Sequence, residues 1–487
     1  MRLRRAVKNA VLRGPQTTPL FGVNMDWAEL SAPIYATAAD WAYLRRKRIK
    51  YVRMPVAWEN LQTAVLNALN STTLTNIKAA LAGAAANGIG VIVDLHNYGG
   101  YANSTAWNNT VFGAGNSGIA ASNVNFLGDG TLTTAHFTDL WTKLATALVG
   151  YPGLIGYGLM NEPSVNVVGT NLVDGPNYFG SDFANWTNGS GATITKLAPG
   201  TNPLGAGYGP AWTITNGPST FGGFYQAHTY TATAITQSIY AKTASGTLDF
   251  NLQISGTPSL KTANTTWQRF SFTRTPSAGS EFFNVYINGG SAGDVLYVAN
   301  MQLELGSAAT TYQPTKWGSY AQAAIDAIRA VDPNTPIYVN GYDTRAHCFH
   351  QRNYELNMLT GGNIILEAHE YFDNAQGVTG GGLYSNTYSS FSIDTYTGVQ
   401  SLQPFIDYCN EVGVKGCIGE IGVPDNTTDS NQYWLQVAKN AFAHLRKNNM
   451  PATAWFYGAN TSGLIDDLNI AHVGNDQTRM KLMLSNP

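Results

Sequence analysis

The feature that most constrains the fold is an alternation of strand-like and helix-like segments in two blocks of the chain. Short apolar runs bounded by Gly, Pro or Asn predict buried strands, and segments with helical hydrophobic periodicity follow most of them. The first block predicts strands at 21–26, 51–58, 91–96 and 154–158, and the second predicts strands at 336–341, 363–371, 416–422 and 452–457. Eight strands, mostly followed by helices, predict an α/β fold of the (β/α)8 TIM barrel type.

The stretch between the two blocks has a different pattern. It carries few charged residues and no convincing amphipathic helix, and short alternating runs are separated by turn clusters. The runs lie at 223–231, 233–242, 247–254, 268–274, 281–288 and 294–305. Many short strands at regular spacing predict an all-β sandwich of the jelly-roll kind. We therefore assign 1–164 and 316–487 to the barrel, and 165–315 to a sandwich inserted after the fourth barrel strand.

Charge and cysteine content argue against several classes of function. The net charge is −2 and only 12% of the residues are charged, so the chain has no basic field to bind nucleic acid. No run of about eighteen apolar residues predicts a membrane span. Three cysteines, Cys348, Cys409 and Cys417, include no Cys-x-x-Cys pair. His347 and His350 beside Cys348 fit no standard zinc spacing, so we expect no metal site.

Two glutamates follow barrel strands at positions where chemistry is expected. Side chains just past the carboxyl ends of the strands of a TIM barrel converge on one mouth, and Glu162 and Glu420 occupy such positions. Glycoside cleavage needs two carboxyl groups: one acid protonates the leaving oxygen, and one carboxylate attacks or activates water. Partial desolvation is expected to keep Glu162 protonated near neutral pH. The other mouth positions are Arg53, His96, Asn97, Asn161, His369, Tyr371 and Trp455.

Roles for several of these neighbours follow from their chemistry. Arg53 is expected to orient Glu420 and to keep it ionised, because an opposite charge lowers the pKa of a carboxyl group. Tyr371 is expected to donate a hydrogen bond to the same carboxylate. The aromatic side chains expected to bind sugar are Trp455, Trp27 and Tyr342.

Six motifs lie on the predicted strands of both blocks. They are Val52-Arg53-Met54-Pro55-Val56-Ala57-Trp58, Asp94-Leu95-His96-Asn97-Tyr98, Leu159-Met160-Asn161-Glu162-Pro163, His369-Glu370-Tyr371, Gly419-Glu420-Ile421-Gly422 and the strand of Trp455. In this order they resemble glycoside hydrolase family 5, the cellulase-like family of retaining β-glycosidases. The resemblance implies that Glu162 is the acid/base and Glu420 the nucleophile. It also implies that the supporting site consists of Arg53, His96, Asn161, His369, Tyr371 and Trp455.

The large insertion departs from the family pattern, which has a modest loop after the fourth strand. Its second half contains Trp267-Gln268-Arg269-Phe270-Ser271-Phe272 and Met301-Gln302-Leu303-Glu304-Leu305-Gly306, which resemble carbohydrate-binding modules and similar sandwiches of tail-associated proteins. The resemblance implies a domain that extends the cleft or raises the local substrate concentration.

The expected function is that of a retaining endo-β-glycosidase on a β-1,4-glucan-type polysaccharide, with carboxylates about 5–5.5 Å apart. Three alternatives stay open: a glycosidase for a bacterial exopolysaccharide or capsule, a transglycosylase with the same two glutamates, and a non-catalytic polysaccharide-binding protein. We expect no cofactor, although a structural calcium in the sandwich stays open. We also expect a monomer that acts outside the cell on a polysaccharide partner. The basic N-terminal segment lacks the apolar region of a signal peptide, so the export route is left open.

Overall fold

The chain forms two compact units. The computed structural model describes residues 20–25, 28–102, 123–163, 167, 169–173, 186–198, 200–218, 221–313, 317–372, 395–423, 433–458, 471–472, 475–476, 481 and 483. The first unit, called the barrel unit below, comprises Met1–Val167, Tyr320–His350 and Leu359–Pro487. The second, called the all-β unit, comprises Val168–Ser319 and Gln351–Met358. The insertion predicted at 165–315 did not include Gln351–Met358.

The first part of the barrel unit alternates strands and helices. Its elements are β1 (Phe21–Met25), α1 (Ala38–Arg46), β2 (Tyr51–Val56), α2 (Trp58–Leu61), α3 (Ser71–Ala86), β3 (Gly90–Leu95), β4 (Gly100–Ala102), β5 (Val124–Phe126), α4 (Thr134–Leu148) and β6 (Leu154–Gly158). A capping box of Thr37 and Asp40 starts α1, and the Asn70 side chain caps α3. The strand predicted at 51–58 was too long, because Trp58 begins the short helix α2.

The all-β unit consists of two five-stranded antiparallel sheets. Its elements are β7 (Thr187–Gly189), β8 (Thr193–Lys196), a 3₁₀ turn (Ala206–Tyr208), β9 (Trp212–Thr215), β10 (Gly223–Tyr230), β11 (Ile235–Thr243), β12 (Leu248–Ile254), β13 (Thr257–Ala263), β14 (Gln268–Arg274), β15 (Gly279–Ile287) and β16 (Val295–Leu305). The strand orders are β13-β12-β15-β10-β7 and β14-β11-β16-β9-β8. Alternation buries one side of β12, where Phe250, Leu252 and Ile254 are fully buried.

The chain after the two sheets resumes the earlier alternation. Its elements are α5 (Gly318–Arg329), β17 (Ile337–Arg345), α6 (Phe349–Asn353), a 3₁₀ turn (Tyr354–Met358), β18 (Ile364–Glu370), α7 (Thr397–Val412), β19 (Lys415–Ile421), α8 (Tyr433–Lys447), β20 (Ala452–Tyr457), β21 (Ala471–His472) and β22 (Asn475–Asp476). The segment Gln351–Met358, in α6 and the 3₁₀ turn, is the helical part of the all-β unit, and the strands named here belong to the barrel unit. Helix α7 was not predicted; it ends at Gly413, whose φ of 73° is the left-handed conformation that glycine adopts readily at a helix end.

Eight parallel strands close into a barrel, which confirms the predicted fold. Their order is β1-β2-β3-β6-β17-β18-β19-β20, and β20 pairs back with β1. Strands β6 and β17 pair directly although the all-β unit separates them in the chain. The carboxyl ends of all eight strands therefore meet at one mouth. Among the helices that the structure describes, none combines the length and the apolar composition that a membrane crossing requires.

Candidate active site

Arg53 lies at the centre of the mouth, with its side chain fully buried on β2. Its Nη1 donates to Glu420 Oε1 at 2.9 Å, and its Nη2 donates to Asn161 Oδ1 at 2.7 Å. The carboxylates of Asp94 and Glu367 lie 2.9 and 3.1 Å from its Nη2 and Nε. Burial alone would lower the pKa of Arg53, but the negative charges of Asp94, Glu367 and Glu420 raise it above its ordinary value. A permanent cation is therefore fixed beside Glu420.

Glu420 ends β19 with both carboxylate oxygens held by donors. Arg53 binds Oε1, and the Tyr371 hydroxyl donates to Oε2. Gly422 leaves room for Tyr371, since a Cβ there would lie 3.2 Å from the Tyr371 ring. Two donors, one of them the cation Arg53, therefore hold the Glu420 carboxylate in place. The predicted roles of Arg53 and Tyr371 thus correspond to contacts in the structure.

Glu162 follows β6 in a strained backbone conformation. Its φ of 40° lies in the left-handed region, which is uncommon for a residue with a side chain. The side chain of Asn340, on β17, holds this turn by accepting the Glu162 backbone N–H at 2.9 Å. The Glu162 side chain is 35% exposed, so it reaches the open mouth. Its Oε1 accepts from His369 Nδ1 at 2.7 Å and from the Thr344 hydroxyl at 3.3 Å.

The two glutamates lie close together around His369. One oxygen of Glu162, one oxygen of Glu420 and a ring nitrogen of His369 all lie within 4.8 Å of one another. His369 Nδ1 is 2.7 Å from Glu162 Oε1 and 3.6 Å from Glu420 Oε2. His369 Nε2 faces Glu367 Oε1 at 3.3 Å. The imidazole therefore has a carboxylate at each of its nitrogens.

The charges around His369 and Glu162 decide which of the two carries the proton that they share. Burial alone would lower the pKa of His369, but Glu420, Glu162 and Glu367 outweigh it and raise the pKa to about 10. Burial alone would raise the pKa of Glu162, but the hydrogen bond and charge of His369 lower it below its ordinary value. The expectation that desolvation keeps Glu162 protonated is therefore wrong for the unliganded site. At neutral pH the proton sits on His369, in a short hydrogen bond to Glu162.

His96 and Asn161 form a second layer of the site. His96 Nδ1 faces the Asp94 carboxylate at 3.2 Å, while its Nε2 lies 3.2 Å from both the Tyr98 hydroxyl and Asn161 Nδ2. Since the carboxylate needs a donor and Nε2 faces two groups that can donate, we assign a hydrogen to Nδ1. The His96 ring also stacks on Trp455, with centroids 5.6 Å apart. These contacts hold the Nδ2 end of Asn161, whose Oδ1 accepts the hydrogen bond from Arg53 Nη2.

Among the described residues, the other predicted site residues make no contact with the two glutamates or are largely covered. Asn97 is fully buried and takes no part in the network around the two glutamates: its Oδ1 accepts the Trp58 backbone N–H and its Nδ2 donates to Glu59. Its side chain thus joins the loop after β3 to the start of α2. Tyr342 on β17 and Trp455 on β20 are 8% and 6% exposed, so little of either ring is free for a sugar. Trp27 lies outside the described residues.

Residues of the site that were missed from the sequence include Asp94, Asn340, Thr344 and Glu367, and also Asn24, whose Oδ1 accepts from Arg53 Nη1 at 3.0 Å. Two of them had a readable signal. Asp94, on β3, precedes His96 by two positions, and Glu367 precedes His369 by two positions on β18. Side chains two apart in a strand point to the same side of the sheet, so each carboxylate shares a face with a predicted site histidine.

Loss of the Arg53 charge is expected to destabilise the barrel. In Arg53→Met, Asp94, Glu367 and Glu420 would remain buried without their cation, at a cost of about 3–5 kcal/mol in the free energy of unfolding. Scanning calorimetry of the full chain would measure the shift of the unfolding transition. Arg329→Met is the matched control, because among the described residues half-buried Arg329 donates its hydrogen bonds to the backbone carbonyls of Asp332, Gly361 and Gly362. Equal shifts for both variants would contradict the argument.

Comparison with known proteins identifies the family of the chain. A family model described as Cellulase (glycosyl hydrolase family 5) matches residues 11–253 and 303–461, well over half of the chain. Endoglucanase EG-II of Hypocrea jecorina is 31% identical over 117 residues, which cover 24% of this chain and 23% of that protein. The matched part thus spans less than a quarter of this relative.

Solved structures share the fold. The crystal structure of an endoglucanase from Pseudomonas stutzeri has a TM-score of 0.54 and 21% identity, over 96% of this chain and 92% of that chain. An endo-β-1,4-glucanase from Xanthomonas axonopodis pv. citri has a TM-score of 0.52 and 18% identity, over 96% and 97%. These likenesses concern the fold, whereas the family model spans both parts of the barrel and the strand ends that carry Arg53, Glu162 and Glu420. The chain belongs to the cellulase family, glycosyl hydrolase family 5.

Proposed function

We propose that this protein is a retaining endo-β-glycosidase that hydrolyses a β-linked glucan by a two-glutamate double displacement. The observation that carries the proposal is the pair of strand-end carboxylates whose nearest oxygens lie within 4.8 Å of each other. A short separation favours direct attack by one carboxylate, because inverting enzymes keep their carboxyl groups about 6.5–9.5 Å apart to admit a water. Both groups that the reaction requires are side chains, so the proposed chemistry needs no cofactor or metal.

In the first step, Glu420 attacks the anomeric carbon while the glycosidic bond breaks. The proton on His369 Nδ1 passes to Glu162 Oε1 and then to the leaving oxygen, which departs as a sugar hydroxyl. The products are a glycosyl ester on Glu420, an ionised Glu162 and a neutral His369. Esterification removes the negative charge of Glu420, which is one of the charges that raise the pKa of His369. When Glu420 loses its charge, the pKa of His369 falls, which favours the loss of the His369 proton in the same step.

In the second step, water replaces the departed sugar. The Glu162 carboxylate, 2.7 Å from His369, takes a proton from the water, and the oxygen of that water attacks the anomeric carbon. The ester bond breaks, Glu420 regains its charge, and the Glu162–His369 pair again holds one proton. Two displacements at the same carbon return the original β configuration.

A β-1,4-glucan-type backbone is the substrate we favour. Endoglucanase EG-II and the two solved structures compared above are named endoglucanases, one of them an endo-β-1,4-glucanase. Low charge over the whole chain also suits a neutral polysaccharide. Because structural β-1,4-glucans lie outside cells, we propose that the protein acts there.

The proposal is tested by reducing-sugar release from carboxymethyl cellulose, mixed-linkage glucan, mannan, xylan and several bacterial exopolysaccharides. We expect cleavage of the two β-glucans, and NMR of the first products should give the β anomer before mutarotation. Cleavage of an exopolysaccharide alone would replace the proposed substrate. An α anomer as first product would contradict the double displacement, and binding of a polysaccharide without cleavage would contradict enzymatic activity.

A further inference from the structure

Glu367 is a buried carboxylate that the two steps above do not use. It lies on β18, is 1% exposed, and directs one oxygen at three donors. Oε1 accepts from Asn340 Nδ2 at 2.7 Å, lies 3.3 Å from His369 Nε2 and 3.1 Å from Arg53 Nε. The Cys417 thiol lies 4.0 Å from the other oxygen. A carboxylate so far from water is costly unless it is paired, so its place implies a role for the charge.

The barrel leaves space for this side chain. A Cβ on Gly419 would lie 2.1 Å from Glu367 Oε1, so the residue just before the nucleophile must be a glycine for Glu367 to fit. The same arrangement occurs on the other side of Arg53, where a Cβ on Gly158 would lie 2.3 Å from Asp94 Oδ1. Two carboxylates therefore flank Arg53, each opposite a glycine of the neighbouring strand.

The two carboxylates differ in what they hold. Asp94 contacts Arg53 and His96, whereas Glu367 contacts Arg53, His369 and Asn340. His369 donates to the Glu162 carboxylate, and Asn340 accepts the Glu162 backbone N–H. Both contacts of Glu162 with these residues thus depend on groups that Glu367 orients.

Glu367 is connected less directly to the nucleophile Glu420 than to the acid Glu162. Arg53 Nε faces Glu367 at an ion-pair distance but makes no hydrogen bond, and Glu420 is held directly by Arg53 Nη1 and Tyr371. We propose that Glu367 is a positioning residue for acid catalysis, which holds His369 and Asn340 so that the proton of His369 is kept and aimed at Glu162. This inference rests on the proposed function, since it assigns a role within that reaction.

The charge of Glu367 acts in the same direction as its geometry. Glu420, Glu162 and Glu367 are the carboxylates that face His369, and together they raise its pKa to about 10 against the effect of burial. Arg53, the nearby cation, binds Glu367 and Glu420 and so opposes them. Without the Glu367 charge, His369 would lose its proton at lower pH, and Glu162 would then have no proton to deliver.

Leaving-group dependence separates this role from a structural one. Phenyl β-cellobioside has a poor leaving group that needs a proton, whereas 2,4-dinitrophenyl β-cellobioside leaves without one. In Glu367→Gln at pH 8, we expect kcat/KM for the phenyl substrate to fall by about 10-fold or more, with about a threefold change or less for the dinitrophenyl substrate. Equal losses on both substrates, or no loss on either, would overturn the proposal.

Two further variants sharpen the test. Asp94→Asn removes the same charge from beside Arg53 without touching His369, so any loss there should be independent of the leaving group. Glu367→Asp keeps the charge but is one methylene shorter, so it should lose activity selectively on the phenyl substrate even if Glu367→Gln fails to fold. A leaving-group-selective loss in Asp94→Asn as large as that in Glu367→Gln would also overturn the proposal.

The pH profile supplies a second readout. For wild type, kcat/KM on the phenyl substrate should fall at high pH, as the proton shared by His369 and Glu162 is lost near pH 10. In Glu367→Gln this alkaline limb should move to lower pH by about 1 unit or more. A shift of about 1 unit leaves the proton on His369 at pH 8, so the loss on the phenyl substrate at that pH reports the lost orientation of His369, and the limb reports the lost charge of Glu367. An unmoved limb contradicts the inference. If wild type cleaves neither aryl cellobioside nor any glucan, the proposed function itself fails, and this inference with it.

Discussion

Replacement of Glu420 by alanine is expected to lower kcat on a β-glucan by on the order of 10⁵-fold or more, the scale found when a covalent nucleophile is removed. That factor corresponds to about 7 kcal/mol in the activation barrier. The reason is geometric: among the described residues, Glu420 is the carboxylate that Arg53 and Tyr371 hold beside the acid Glu162.

Azide tests the assignment of Glu420 directly. In Glu420→Ala, azide should enter the space of the lost carboxylate, attack the anomeric carbon of 2,4-dinitrophenyl β-cellobioside once, and give an α-glycosyl azide. Glu411→Ala, at an exposed position of α7, is the control and should retain wild-type activity. Activity of Glu420→Ala close to that of wild type would show that another group attacks.

Replacement of Glu162 by alanine should give the second largest effect, and one that depends on the substrate. On a glucan, which needs acid for the first step and base for the second, kcat should fall by about 10²–10⁴-fold. On 2,4-dinitrophenyl β-cellobioside the first step needs no proton, so the glycosyl-enzyme should accumulate and the apparent KM should fall together with kcat.

Burst kinetics would measure this accumulation. A burst of dinitrophenol close to the enzyme concentration, followed by a slow steady state, is the expected result for Glu162→Ala. Added azide should speed the steady state and give a β-glycosyl azide, because it acts after Glu420 has already inverted the carbon once. Equal rate losses on glucan and on the dinitrophenyl substrate, with no burst, would contradict an acid/base role.

The barrel was predictable because its signal is local and repeated. Each barrel strand is a short apolar run with clear ends, and closure requires only that β20 returns to pair with β1. The same regularity identified Glu162 and Glu420, since a polar residue directly after a buried strand must emerge at the mouth.

Strands that lack this signal were missed. Strand β13, Thr257–Ala263, has Leu260 as its one large apolar residue before the final alanine, and that side chain is 55% exposed. Its position depends on pairing with β12 and not on a buried face of its own. The short strands β7, β8 and β9 likewise form because neighbouring strands are present, which a single-segment pattern does not report.

Within the site, roles that depend on exact side-chain direction were harder to predict. Asn97 and Asn161 both follow barrel strands, yet Asn161 binds Arg53 while Asn97 turns to Trp58 and Glu59. The sequence also did not predict that the proton lies on His369 and not on Glu162. Desolvation of Glu162 was foreseeable, but its contact with His369 reverses the effect of burial, and that contact joins residues from two strands far apart in the chain.

The measurement that tests the account most directly is mass spectrometry of the trapped intermediate. A 2-deoxy-2-fluoro cellobioside with a dinitrophenol leaving group should form a stable ester. The fluorine slows both steps, and the good leaving group restores the rate of the first step alone. After digestion, the account predicts one cellobiosyl adduct per chain, carried by the peptide that contains Glu420. An adduct on a different residue, or an active enzyme that never forms one and releases the α anomer first, would contradict the double displacement through Glu420.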